Sequence, residues 1–418
     1  MNPFQETPCK IEDALQDWRK IYPKAYDKNE ISPYSKTRVV LLNGAELESN
    51  WFSHQFARHT DNQDLRRDLA LCREVEKQQQ LKISLLKPRN ESVLEHTITY
   101  EQLAVDLTAE LAKREKDENV KKALDFALLE DFDHLYRYSN LLEMEQKIHA
   151  ERLVGGYTEI MPGRPTVAHH RFPKDNVRRS IDAKKADLFT LLSTMIITAA
   201  EQQTMNYYMN VTAFARSDTA RRLYQEIALV EEEHVTQYES LADPRSSWLE
   251  MLLCHEYAEC YLYYSCYMTE SDEYLKTLWE QNLFYEIAHL HKANELLKKY
   301  EKKEWGDVLP SGDFPEPLSL HENIAYVRDV LENTVQNTSV GEGYESVDRL
   351  KKDADFFRFQ SLTQKDVSSA PSHKVIEKHI KAYGEDYRYQ KKRSPIAALR
   401  DKKHDNTDVG RVPGALER

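Results

Sequence analysis

Leu229-Val230-Glu231-Glu232-Glu233-His234-Val235 and, fifty-five residues later, Phe284-Tyr285-Glu286-Ile287-Ala288-His289-Leu290 each carry a Glu and a His three positions apart. Residues three apart share one face of a helix, so each Glu-x-x-His pair aims a carboxylate and an imidazole at one point. A lone glutamate precedes each pair by thirty residues, Glu201 before Glu231 and Glu256 before Glu286. The same offset of 55 aligns Leu223-Tyr224 with Leu278-Trp279, Tyr208 with Tyr263, and Leu241 with Leu296. The repeating unit is a helical hairpin, with Glu midway along its first helix and Glu-x-x-His midway along its second.

A weaker copy lies upstream. Tyr100-Glu101-Gln102 matches Ala200-Glu201-Gln202, and Leu128-Leu129-Glu130 with Asp133 and His134 matches the segment around Glu231. Glu101 and Glu130 are 29 apart; the position three after Glu130 holds Asp133, and the histidine is displaced to His134. The candidate metal ligands are therefore Glu101, Glu130, Asp133, His134, Glu201, Glu231, His234, Glu256, Glu286 and His289. A helix glutamate is ordinarily solvated, and Glu-x-x-His arises by chance in a Glu-rich chain. These glutamates, however, sit on apolar stripes: Glu201 with Ile197 and Tyr208, Glu231 with Ile227 and Val235, Glu256 with Leu252 and Cys260, Glu286 with Leu283 and Leu290. A buried carboxylate is costly unless paired or metal-bound. Carboxylate and imidazole together suit iron or manganese, whereas zinc usually takes fewer carboxylates.

In its order of Glu, Glu-x-x-His, Glu, Glu-x-x-His, the stretch from 92 to 304 resembles the ferritin-like superfamily, in its rubrerythrin and di-iron carboxylate branch. The resemblance implies a dinuclear iron or manganese centre that reacts with oxygen or peroxide, hence an oxidoreductase. Three departures stand out: three hairpins instead of two, Asp in place of His in one motif, and no rubredoxin-like module, which leaves the electron donor unidentified. Iron storage without turnover and a metal-free helical interaction protein are the competing readings. Tyr208, Tyr263, Tyr257 and Tyr285 flank the proposed site, as core aromatics or as relays.

The fold class expected is mainly α, a ferritin-like bundle of three helical hairpins with extensions at both ends. Residues 1–90 read as a mixed N-terminal extension with short helices at 51–58 and 65–80, residues 91–304 as the bundle, and residues 305–418 as a C-terminal extension. The last of these ends in a solvated basic tail from Lys391-Lys392-Arg393. The 3.6-residue period predicts helices over 92–114, 120–150, 184–215, 219–241, 247–269 and 274–304. His169-His170, in the irregular crossover between 155 and 182, read as surface loop residues or as groups approaching the site. Cys254, Cys260 and Cys266 read as core residues, and the odd total of five cysteines fits a reducing compartment.

A net charge of −12 excludes a general nucleic-acid binder. With no run of about 18 apolar residues, no signal-peptide pattern and no phosphate-binding glycine loop, a cytoplasmic protein without nucleotide chemistry is expected. Loop lengths also constrain pairing. Two hairpins that face each other across a two-fold axis need a link along the bundle, about 30 Å for a 20-residue helix, or at least about nine extended residues. The crossover from 155 to 182 can span that; the link from 242 to 246 cannot. The Glu101 hairpin is thus expected to face that of Glu201, Glu231 and His234. The hairpin of Glu256, Glu286 and His289 is left as an added layer or as a contact with its own copy in a homodimer.

Overall fold

The computed structural model describes residues 1–390 and 394–412, so Lys391-Lys392-Arg393 lie outside the described residues. Among these the chain is mainly helical, with twelve helices: α1 Trp18–Ile21, α2 Pro33–Arg58, α3 Gln63–Ser84, α4 Val93–Arg114, α5 Glu118–Gln146, α6 Leu188–Val211, α7 Asp218–Glu239, α8 Trp248–Thr269, α9 Glu273–Glu301, α10 Ile324–Thr334, α11 Asp355–Thr363 and α12 Pro371–Tyr383. Two short strands, β1 Asn337–Val340 and β2 Gly343–Ser346, pair antiparallel around Gly341, whose φ of 56° suits a tight two-residue turn. No helix among the described residues is long and apolar enough to cross a membrane.

The long helices start where the sequence supplies caps. Ser92 and Ser247 form capping boxes with Glu95 and Glu250, while Asp117, Ser217 and Asp272 each accept backbone N–H groups of the following turn. Such caps satisfy donors that the first turn leaves open.

The chain divides into two compact units. The first comprises residues 1–91, 180–203 and 242–319; the second comprises 92–179, 204–241 and 320–418, so α6 is divided between them. This departs from the three-part division expected from sequence. Residues 1–91 do not stand apart as an extension: α2 and α3 form a hairpin, α2 packs on α8 and α3 on α9. The Glu256 hairpin therefore meets a fourth hairpin of its own chain, where an added layer or a second copy was expected. Described residues after 320 also belong to a core. α10 packs on α4 and α5, α12 packs on α5 and α7, and Leu399 and Val409 are buried.

Candidate metal centres

In the first unit, Glu46 on α2, Glu76 on α3, Glu256 and Glu259 on α8, and Glu286 and His289 on α9 are all buried. Their ligand atoms form two overlapping groups. One atom each from Glu76, Glu256, Glu286 and His289 lie within 4.8 Å of one another, and so do atoms of Glu46, Glu76 and Glu259. Glu76 belongs to both groups, which is where a carboxylate bridging two cation positions would sit. One position has a nitrogen donor and the other is all oxygen.

His289 Nδ1 is 2.7 Å from Glu76 Oε1 and 3.2 Å from Glu286 Oε2. The first contact is close but misdirected, and neither Glu76 oxygen has a hydrogen-bond partner among the described residues. Gln79, one turn after Glu76, donates from Nε2 to Glu46 Oε1 at 2.9 Å and also to Glu286 Oε1. Tyr263 donates its hydroxyl to Glu46.

Burial, and then mutual repulsion with Glu76 and other carboxylates, pushes Glu46, Glu256, Glu259 and Glu286 above the usual carboxylate range. Burial opposes protonation of His289, but Glu76 and Glu286 prevail and hold its imidazolium well above the ordinary range. Both oxygens of Glu259, Glu46 Oε2 and Glu256 Oε2 also lack hydrogen-bond partners among the described residues. Such a set of hard oxygen donors with one imidazole could hold cations, one at each of the two overlapping groups.

Sequence reasoning missed Glu46, Glu76 and Glu259. Glu46 precedes Glu76 by thirty residues, the spacing of the other hairpins, but the partner three positions on is Gln79 instead of His.

In the second unit the register of the weak copy is corrected by one residue. Asp131, thirty after Glu101, and His134 form the motif, an Asp-x-x-His. His134 Nδ1 is 3.1 Å from Glu231 Oε1. His234 Nδ1 is 3.3 Å from both Asp131 Oδ1 and Glu231 Oε2. Ligand atoms of Glu101, His134 and Glu231 converge within 4.8 Å, and Glu231 also groups with Asp131 and His234, so Glu231 occupies the shared position. Glu201 is buried on α6. Burial opposes ionisation of Glu231, but hydrogen bonds from His134 and His234 bring it down to about 2.

Glu130 and Asp133 do different work. Glu130 accepts from Arg164 and Arg171 at 2.9 Å and meets His234 Nε2 at 2.8 Å, with all four side chains fully buried. That contact favours a proton on Nε2 and turns Nδ1 toward Asp131 and Glu231. This is how a carboxylate behind a ligating histidine sets its tautomer and aim. Burial opposes the charge on Glu130, but Arg171 and His234 hold it well below the usual range. Asp133 accepts from Arg137 at 3.0 Å and from Thr166 at 2.7 Å, and Arg137 reaches on to Asp405 at 2.7 Å. It anchors the crossover, which passes so close at Gly163 that a Cβ there would lie 3.2 Å from the Asp133 backbone nitrogen.

The crossover histidines are buried, contrary to a surface placement. His169 Nε2 lies 2.8 Å from the Arg164 carbonyl oxygen, and His170 Nδ1 lies 3.4 Å from Glu233. No protein-family model, curated protein or solved structure matches the chain.

Proposed function

We propose that the chain is a tandem ferritin-like protein with one dinuclear carboxylate metal centre in each unit, and that it is an oxidoreductase acting on oxygen or peroxide. The observation that carries this reading is the pair of overlapping ligand groups around Glu76 in the first unit. Iron or manganese matches its carboxylates and single imidazole. When bound, two adjacent redox-active ions supply electrons to an oxidant.

The chain's own residues hold and shield that centre. Glu46, Glu76, Glu256, Glu259, Glu286 and His289 supply the donors, while the Gln79 amide fixes Glu46 and Glu286 in place. A small cavity lined by Cys72, Arg73, Glu76, Glu256, His289 and Lys292 leads to the cluster. It has room for about one water-sized molecule, too little for an organic substrate. In the second unit Glu101, Asp131, His134, Glu231 and His234 supply donors, and Glu130 orients His234.

Purification without added metal, followed by elemental analysis for iron, manganese and zinc, tests the reading. Metal is expected at up to about two ions per centre. Less than about one tenth of an ion per chain, even after anaerobic loading, would refute it.

A further inference from the structure

A cleft of about 540 Å³ opens in the second unit, between the crossover, α7 and the residues running from α11 to the start of α12. Ligand pockets commonly span about 300–1,000 Å³ and combine apolar walls with a few fixed polar groups. Pro173, Leu229, Phe359 and Pro371 supply apolar wall here. On α7, Gln225, Leu229, Glu232 and Thr236 line the cleft at spacings of four, three and four residues, a stripe turned away from Glu231 and His234.

The polar groups of the cleft are one-sided. Glu226, Glu232 and Glu233 line it, and among the described residues no Lys or Arg does. Glu226 is buried and fixed in place: it accepts from the Ser372 backbone N–H at 2.6 Å, the Ser372 hydroxyl at 3.1 Å and the Gln364 amide at 3.3 Å. Glu233 has Arg171 at 3.1 Å and His170 Nδ1 at 3.4 Å. Glu232 is exposed and makes no ion pair among the described residues.

Two further lining residues are buried and unsatisfied. His170 is 4% exposed and Asn176 2%, and neither His170 Nε2 nor Asn176 Oδ1 has a hydrogen-bond partner among the described residues. An amide oxygen can only accept. A proton on His170 Nδ1, which faces Glu233, leaves Nε2 to accept as well. A buried acceptor without a partner is a net cost to folding, and a donor from a ligand would relieve it.

We infer that this cleft binds a small organic cation, a primary amine carried on an apolar body. The ammonium brings three N–H donors and a positive charge to a wall of carboxylates and unpaired acceptors. The apolar body lies against Leu229, Phe359 and the prolines. Carboxylates set among apolar walls pull more strongly on a cation than they would in open water. An anion of the same shape meets repulsion, and a neutral alcohol gains the apolar contact without the charge.

The test is isothermal titration calorimetry of the full-length chain at pH 8 with 2-phenylethylamine, 2-phenylethanol and phenylacetate, which share one body and differ in the charge at its end. The amine is expected to bind once per chain, at least about tenfold tighter than the alcohol, and phenylacetate is expected not to bind. Leu229→Arg puts a cation into the cleft at a side chain that is already 52% exposed, so the fold should persist while amine binding is lost. Glu232→Gln should weaken amine binding by about threefold, as for an exposed ion pair. Glu239→Gln, on the same helix and outside the cleft, should leave it unchanged, and circular dichroism checks that each variant is folded. No amine binding to the wild type, equal affinity for amine and alcohol, or amine binding that survives Leu229→Arg would overturn the inference. None of these measurements depends on bound metal, so the result stands apart from the proposed metal centres.

Discussion

Tyr263 donates its hydroxyl to Glu46, and Tyr208 does the same to Glu101. Each tyrosine lies seven residues after the lone glutamate of its own hairpin, Glu256 or Glu201. Seven residues are about two helical turns, so the pair shares a stripe and the hydroxyl reaches the lone glutamate of another hairpin. Two units that repeat this contact are built on one plan. In the first unit Asn282 Nδ2 also donates to Tyr263, at 3.1 Å. Tyr263→Phe therefore removes one of the two donors to Glu46 and strands the Asn282 amide, and should lower the stability of the metal-free first unit by about 1–3 kcal/mol. Denaturant unfolding with probes placed in each unit checks this, because a chain of two units need not unfold in one step.

The shared ligands predict how metal is lost. Glu76 and Glu231 each belong to both ligand groups of their unit. Glu76→Ala and Glu231→Ala should each remove about half of the bound metal, and the double variant nearly all of it. Helix content should persist, since apolar stripes supply the packing. Elemental analysis and circular dichroism on the same samples decide it; full metal content in the double variant would contradict the ligand assignment.

Stability should depend on pH in opposite ways with and without metal. Glu46, Glu256, Glu259 and Glu286 are pushed above their ordinary value of 4.5, so the folded metal-free state binds protons that the unfolded state has released. Stability then falls as pH rises from about 4.5 through the raised values. His289 adds to the trend, because its raised folded value contributes stability below 6.5 that is lost as pH climbs through that value. Glu231, at about 2, contributes fully above 4.5 and does not vary in this window. Chelator-treated protein should thus have a higher denaturant midpoint at pH 5.5 than at pH 8. Bound cations replace those protons, so loading at pH 5.5 should release acid, measurable in a weakly buffered titration.

Much of the helical framework was legible because period and caps agree. The helix expected over 247–269 is Trp248–Thr269, and that expected over 219–241 is Asp218–Glu239. The first hairpin escaped notice because Lys77-Gln78-Gln79-Gln80 reads as a solvated stretch, although Gln79 is buried against two carboxylates. The one-residue error on α5 has another cause. Glu130, Asp131, Asp133 and His134 are all fully buried, because the crossover and the C-terminal helices cover the side of α5 turned away from the cluster. Where every face of a helix is buried, apolar periodicity no longer says which residue points at the centre. The residues around Glu130 resemble those around Glu231, whereas the thirty-residue spacing from Glu101 points to Asp131.

Glu130 gives the sharpest separation of stability from metal binding. It is the carboxylate that Arg164 touches, while Arg171 keeps Glu233 at 3.1 Å as a second partner. Glu130→Gln preserves shape but leaves the Arg164 guanidinium buried without a counter-charge. Removing one partner of a buried pair costs about 3–5 kcal/mol, and the melting temperature should fall accordingly. The same substitution replaces the carboxylate that holds His234 Nε2, which should weaken metal binding in the second unit by about 10–100-fold. Adding Arg164→Met removes the stranded charge, so Glu130→Gln/Arg164→Met should regain most of the lost stability. It should not regain the metal affinity, because His234 still lacks its anionic partner. Chelator competition and thermal unfolding on the single and double variants measure the two effects. If affinity returns together with stability, Glu130 acts only as a structural counter-ion and has no hold on the histidine.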